Sequence, residues 1–129
     1  MYRDGAGVER DLAKAKTWAE LGAKRGDYWG ALDRGRIALD EPGQSVEAAK
    51  WLALAVALNV NRGNNDPEGK AAKLLAGLPQ ADKKAALTEL QKQAGASPSA
   101  ALQGAQLDAR LAAVSDQLWR KTKPRFDLF

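Results

Sequence analysis

Cysteine and histidine are both absent from the 129 residues. Without cysteine the chain can form no disulfide and no thiolate metal site, and its redox compartment is left open. Without histidine it lacks the commonest general base, metal ligand and pH-responsive side chain. Phe, Ile and Val are scarce, and the alternating runs that mark strands are nearly absent. Long apolar runs are missing too. The longest, Trp51 to Leu58, has eight residues, against about 20 for a helix that spans a bilayer. What the chain does have is abundant alanine and four Trp, a composition suited to helices packed close together. Its length suits one domain with a buried core. The net charge is +4 and the pI about 9.5, but Lys and Arg alternate with Asp and Glu along most of the chain, which reads as solvated helix surface.

The same scarcities argue against catalysis. Ser45, Ser97, Ser99 and Ser115 each fall near a helix start or on a helix surface, with no histidine to activate them as nucleophiles. The carboxylate pairs Asp4/Glu9 and Asp40/Glu41 sit in turns and read as solvent-facing, with nothing to place two acids in a glycosidase cleft. Gly63-x5-Gly69-Lys70 has one residue too many for a P-loop, and Ala71 stands where a hydroxyl must hold magnesium. It reads as a loop entering a helix. Gly5-x-Gly7 lacks the preceding strand of a dinucleotide site. The chain therefore reads as a non-enzyme with no catalytic, cofactor or metal residues.

The most organised stretch is Tyr2 to Gly26. Gly5 and Gly7 suit a tight turn, and Asp11 stands where an N-cap is wanted. Leu12, Ala15, Trp18, Ala19 and Gly22 then lie along one helical stripe. Gly22 on that stripe is costly unless another backbone comes close. Gly26, after a Lys-Arg pair, reads as a helix stop. The pattern returns at Gln44-Ser45-Val46-Glu47-Ala48-Ala49-Lys50-Trp51, which places Trp51 under Trp18 at an offset of 33 residues, within the period range of helical-hairpin repeats.

Tyr2-x-x-Gly5-x-Gly7-Val8-x-x-Asp11-x-x-Lys14-Ala15-x-x-Trp18-x-x-x-Gly22-Ala23-x-x-Gly26 resembles a Sel-one-like repeat, a relative of the tetratricopeptide repeat. The resemblance is dense over residues 2–26. Over 27–59 it is degenerate: Arg34 stands where the family prefers leucine, Ala38 where it prefers tyrosine, and the turn Asp40-Glu41-Pro42-Gly43 is shorter. The resemblance implies an all-α fold, a solenoid of antiparallel helix pairs. In the family the tyrosine equivalent to Tyr2 closes the first helix of a repeat. The expectation is thus that Met1 is an internal methionine of a longer protein or an artificial boundary.

The rest of the chain divides by its breakers. Residues 27–39 form the first helix of the second repeat, with more apolar surface than one face needs. Helix 45–58, with Ser45 as N-cap, is apolar almost all round after Lys50 and should be the centre of the domain. Asn59 to Asn65 is a polar loop, and Asp66-Pro67-Glu68 reads as a helix start with Asp66 as N-cap. Ala71, Leu74, Leu75 and Leu78 mark a short helix, and Ala86, Leu87, Leu90 and Ala94 the stripe of another. Residues 60–95 so form a divergent closing pair. In 96–129, Ala100, Gly104, Leu107, Leu111, Val114 and Leu118 make a heptad-like seam, followed by a tail from Trp119 to Phe129 with four basic residues and three aromatics.

The resemblance implies binding of a protein partner, with bacterial envelope, secretion or signalling assemblies the usual setting. The expectation is a non-catalytic adaptor or the carboxyl-terminal module of a larger bacterial protein, in the cell envelope, periplasm or cytoplasm. Trp29, Asp33 and Arg36, on the first helix of the second repeat, are the candidate partner-binding residues. One alternative is a regulatory or targeting module of an upstream catalytic domain. Another is binding of nucleic acid or anionic membrane by Arg120 to Arg125, against which stands the simpler role of a cationic helix end stopped by Pro124. Homodimerisation through the open N-terminal edge or the C-terminal helix is the remaining partner reading. Phe126 to Phe129 is expected to fold back onto the domain.

Overall fold

The computed structural model describes residues 8–61, 66–95 and 104–122. Tyr2, Gly5, Gly7, Gly63, Ala100 and the tail beyond Thr122, with the expectations placed on them, lie outside these. The described residues form six α-helices and no strand: α1 (Val8–Lys24), α2 (Tyr28–Asp40), α3 (Ser45–Asn61), α4 (Lys70–Ala76), α5 (Gln80–Ala94) and α6 (Gly104–Thr122).

Helix α3 is the hub. Ala48 through Ala55 are all buried, as are Ala57 and Leu58, because α2, α4, α5 and α6 each pack against it. This is the burial expected of a helix with apolar residues all round. Helix α5 lays Ala86, Leu87, Leu90 and Ala94 inward, and α6 does the same with Leu107, Leu111, Val114 and Leu118. The heptad-like seam is therefore packed within the chain. Trp119 is buried with it, so this residue belongs to the core and not to the tail.

The junction of α1 and α2 follows from its glycines. Gly26 takes φ 84°, its amide donates to Ala23 O at 3.0 Å, and the Asp27 amide donates to Gly22 O at 2.9 Å. These two bonds close the helix as a Schellman motif. Asp27 then opens α2 by accepting from Trp29 N at 3.1 Å. The chain folds back so tightly that a Cβ on Gly30 would lie 2.9 Å from Ala19 O, Ala23 N and Gly22 Cα. All three are backbone atoms, which cannot swing aside. Gly30→Ala should force α1 and α2 apart and cost about 1–3 kcal/mol, read as a lower urea midpoint; an unchanged midpoint would mean that the helices do not cross so closely.

Several local expectations are corrected. Helix α1 begins at Val8, so Asp11 lies inside it and is not its N-cap. Trp18 does not join the buried stripe and is 70% exposed; α1 turns Ala19 and Ala23 inward instead. Ser45 is the first helical residue of α3, and the Ala48 amide donates to the carbonyl of Gln44. Asn59 lies within α3, which runs to Asn61, and is buried. Asp66-Pro67-Glu68 is a turn, and α4 starts later, at Lys70.

The charges expected to be mainly solvated have three exceptions, each for an electrostatic reason. Lys50 reaches Glu89 on α5, and Lys83 of α5 reaches Asp108 on α6 at 2.8 Å, both lysines being buried. Arg34 lies over the Trp51 ring, 5.5 Å from its centre, and its Nε donates to Glu20 of α1 at 2.9 Å. An arginine at this position thus links α1, α2 and α3, where a leucine could only pack.

Candidate functional site

Trp29, Asp33, Arg36 and Asp40 are exposed along α2. Their steps of four, three and four residues put them on one helical face. The opposite face, with Ala31, Leu32, Gly35 and Ala38, is buried. Helix α2 therefore presents a continuous polar strip headed by a tryptophan.

Beside this strip lies α4. Arg36, Leu39 and Asp40 from α2, with Lys70, Lys73 and Leu74 from α4, line a groove of about 420 Å³. Leu39 and Leu74 are only half-buried and supply its apolar lining. Three of the six lining residues are cationic and one is acidic. The Trp29 ring, outside the groove's lining, stands edge-on to Tyr28, with centroids 5.0 Å apart, and the ammonium of the lining residue Lys70 lies 5.5 Å from its centre. That is within the range of a cation–π contact.

The structure thus brings Trp29 and Arg36 into one place with the α4 lysines. Asp33 shares their face without lining the groove. The α4 contribution, Lys70, Lys73 and Leu74, is absent from the sequence-based set.

What holds α4 there is a buried polar cluster built on Tyr28, Asn59 and Asp66. The Tyr28 hydroxyl donates to Asp66 Oδ2 at 2.6 Å and accepts from the Ala71 amide at 3.3 Å. Asp66 also accepts from the amides of Glu68 at 3.1 Å and Lys70 at 3.0 Å. Asn59 clamps the Asp66 backbone from the other side, donating from Nδ2 to its carbonyl at 3.0 Å and accepting from its amide at 2.9 Å. Each polar group has a partner, as burial requires. The arrangement is a latch that ties the start of α4 to α2 and α3.

The latch perturbs both its acids. The hydrogen bond from Tyr28 holds the Asp66 carboxyl below its usual range against the opposing effect of burial, helped by the Lys70 and Glu68 amides and the Lys70 charge. Burial, with the bond to Asp66, pushes the Tyr28 phenol up to about 12. The linkage signs follow. For Asp66 the unfolded chain takes up protons first, so stability is full above the ordinary carboxylate value near ~4 and is lost as pH falls through the lower folded value. For Tyr28 the unfolded chain loses its proton first, so stability declines from about pH 10 until the folded phenol titrates at about 12. Tyr28→Phe should cost about 2 kcal/mol, the scale of a hydrogen bond to a charged group, and should flatten the alkaline limb in melts taken across pH 9–11. Parallel alkaline limbs in the two proteins would remove the latch from the account.

No protein-family model, curated protein or solved structure matches the chain. The geometry above is what the functional reading rests on. Among the described residues no group of three or more acids that could hold a metal ion occurs, and no helix is long and apolar enough to cross a membrane.

Proposed function

We propose that this chain is a non-catalytic protein-interaction module, the end of a Sel-one-like solenoid whose binding surface is the exposed face of α2. The observation that carries this reading is the strip Trp29, Asp33, Arg36 and Asp40 beside a preformed groove. A half-exposed tryptophan held by Tyr28 and Lys70 is a ready anchor: aromatic and arginine side chains dominate binding energy at protein interfaces. The strip needs no rearrangement to be used, since its helix is fixed by its buried side and by the latch.

The repeat assignment is supported by the chain path. Helices α1, α2 and α3 are consecutive, α2 packs against both neighbours, and α1 and α3 carry the same residue pattern. In this reading α1 ends one repeat, α2 and α3 form the next, and α4 to α6 close the array. The chain then serves as an adaptor or as the carboxyl-terminal module of a larger bacterial protein, and an immunoblot of the native polypeptide against its 13.8 kDa separates the two.

The binding reading is tested by the double substitution Asp33→Ala with Arg36→Ala. Both side chains are exposed, so melting should stay within about 0.5 kcal/mol of the wild type while binding of a protein partner, first identified by co-purification with the wild type, falls. Full retention of that partner would remove the α2 face from the account.

A further inference from the structure

The groove between α2 and α4 carries a second, more specific message. It rests on the reading of the α2 face as a protein-binding surface and says what sort of segment that surface takes. Arg36, Lys70 and Lys73 line the groove, and among the described residues Asp40 is the single acid in its lining. Leu39 and Leu74 supply apolar surface among the charges, and Trp29 stands beside Lys70. Cations with leucines among them are complementary to a segment of opposite pattern.

We infer that this groove binds an acidic peptide segment in which Asp or Glu residues flank one large apolar side chain. The apolar side chain lies between Leu39 and Leu74. The carboxylates meet Arg36, which can grip one in a two-pronged manner, and the ammonium groups of Lys70 and Lys73. The roughly 420 Å³ of the groove is at the small end of the range for ligand pockets, enough for one large side chain and not for a folded domain. An extended segment of a partner therefore fits better than a second copy of this chain.

The groove's cations are also what a nucleic acid would need, but the lining argues against it. The leucines share the lining with the charges, and among the described residues that line the groove there is no aromatic ring on which a base could stack.

The test is titration of the full-length, isotope-labelled protein with three synthetic peptide sets, followed by amide and indole shifts in two-dimensional NMR. Each set carries a central Leu or Phe flanked by Glu and Asp, by Gln and Ser, or by Lys. The acidic set should move the Trp29 indole and the amides of Arg36, Lys70 and Lys73, with affinity falling as salt rises. Arg36→Glu and Lys73→Glu, both at exposed positions, should each weaken it about tenfold or more without altering the rest of the spectrum. Equal binding of the Gln/Ser set, or shifts that map elsewhere, would overturn the inference. So would a short single-stranded DNA that moves the same signals more strongly than the acidic peptides.

The two levels fail differently. If neutral peptides shift Trp29 and Asp33 while acidic ones do not, the charge assignment falls and the interaction surface stands. If no peptide set touches α2, and the Asp33→Ala, Arg36→Ala protein keeps its partner, both fall.

Discussion

Trp51→Ala is expected to lower stability by about 3–5 kcal/mol, the range for truncating a large buried aromatic. Trp51 is 3% exposed and sits on α3, the helix that α2, α4, α5 and α6 pack around. Removing the indole leaves a cavity that the rigid helix packing cannot close, and it also takes away the ring beneath the Arg34 guanidinium. Trp18→Ala is the paired control. Trp18 occupies the same place in the repeating pattern but is 70% exposed, so its loss should stay within about 0.5 kcal/mol. Urea denaturation of both variants tests the contrast directly. Equal effects would mean that the two tryptophans share one environment, which the structure denies.

The second large effect is expected at the α5–α6 junction. Asp108→Ala should cost about 3 kcal/mol, because it strands the Lys83 ammonium in a place where its side chain is only 2% exposed and charges left alone inside a protein are expensive. The opposite truncation should cost less. In Lys83→Met the remaining Asp108 carboxylate is 22% exposed and can hydrate, while the methionine fills the lysine's path. Joining the two, Lys83→Met with Asp108→Leu, should recover much of what Asp108→Ala loses, since a buried ion pair replaced by apolar groups is often neutral. Melting curves for the three proteins decide it. An Asp108→Ala protein as stable as Lys83→Met would show that the ammonium reaches water.

These two sites also show where the fold was legible and where it was not. The apolar stripes of α3, α5 and α6 are local and periodic, so their helices and buried faces could be read directly, Trp51 included. Lys83 could not, because its burial depends on a carboxylate brought in by a different helix. Trp18 misled for a related reason. Periodicity says that residues share a face, but whether that face meets another helix is a tertiary fact. Asp66 is not the N-cap that its sequence context suggests: Gly69 precedes α4, and the Asp66 carboxylate instead accepts from the amides of Glu68 and Lys70 and from the hydroxyl of Tyr28.

The candidate site divides the same way. Trp29, Asp33 and Arg36 follow from helical spacing, since a helix with a buried side at Ala31, Leu32 and Gly35 must show those residues outward. Lys70, Lys73 and Leu74 join them through tertiary contacts, among them the Tyr28–Asp66 bond, which spans 38 residues of sequence, and the packing of α4 on α3. No local pattern marks that pairing. Arg34, a charged residue among the apolar positions of α2, had a legible cue in its residue type but not its explanation, which lies in Glu20 and Trp51 on two neighbouring helices.

The central claim is that the α2 face is where a protein partner sits, and site-specific photo-cross-linking in cells tests it most directly. A photoreactive amino acid would replace Asp33 on that face in one strain and Thr88, exposed on α5, in another. The account predicts a discrete cross-linked protein from position 33 that is absent from position 88 and lost when Arg36→Ala is added. The same adduct from both positions, or one from position 88 alone, would contradict it.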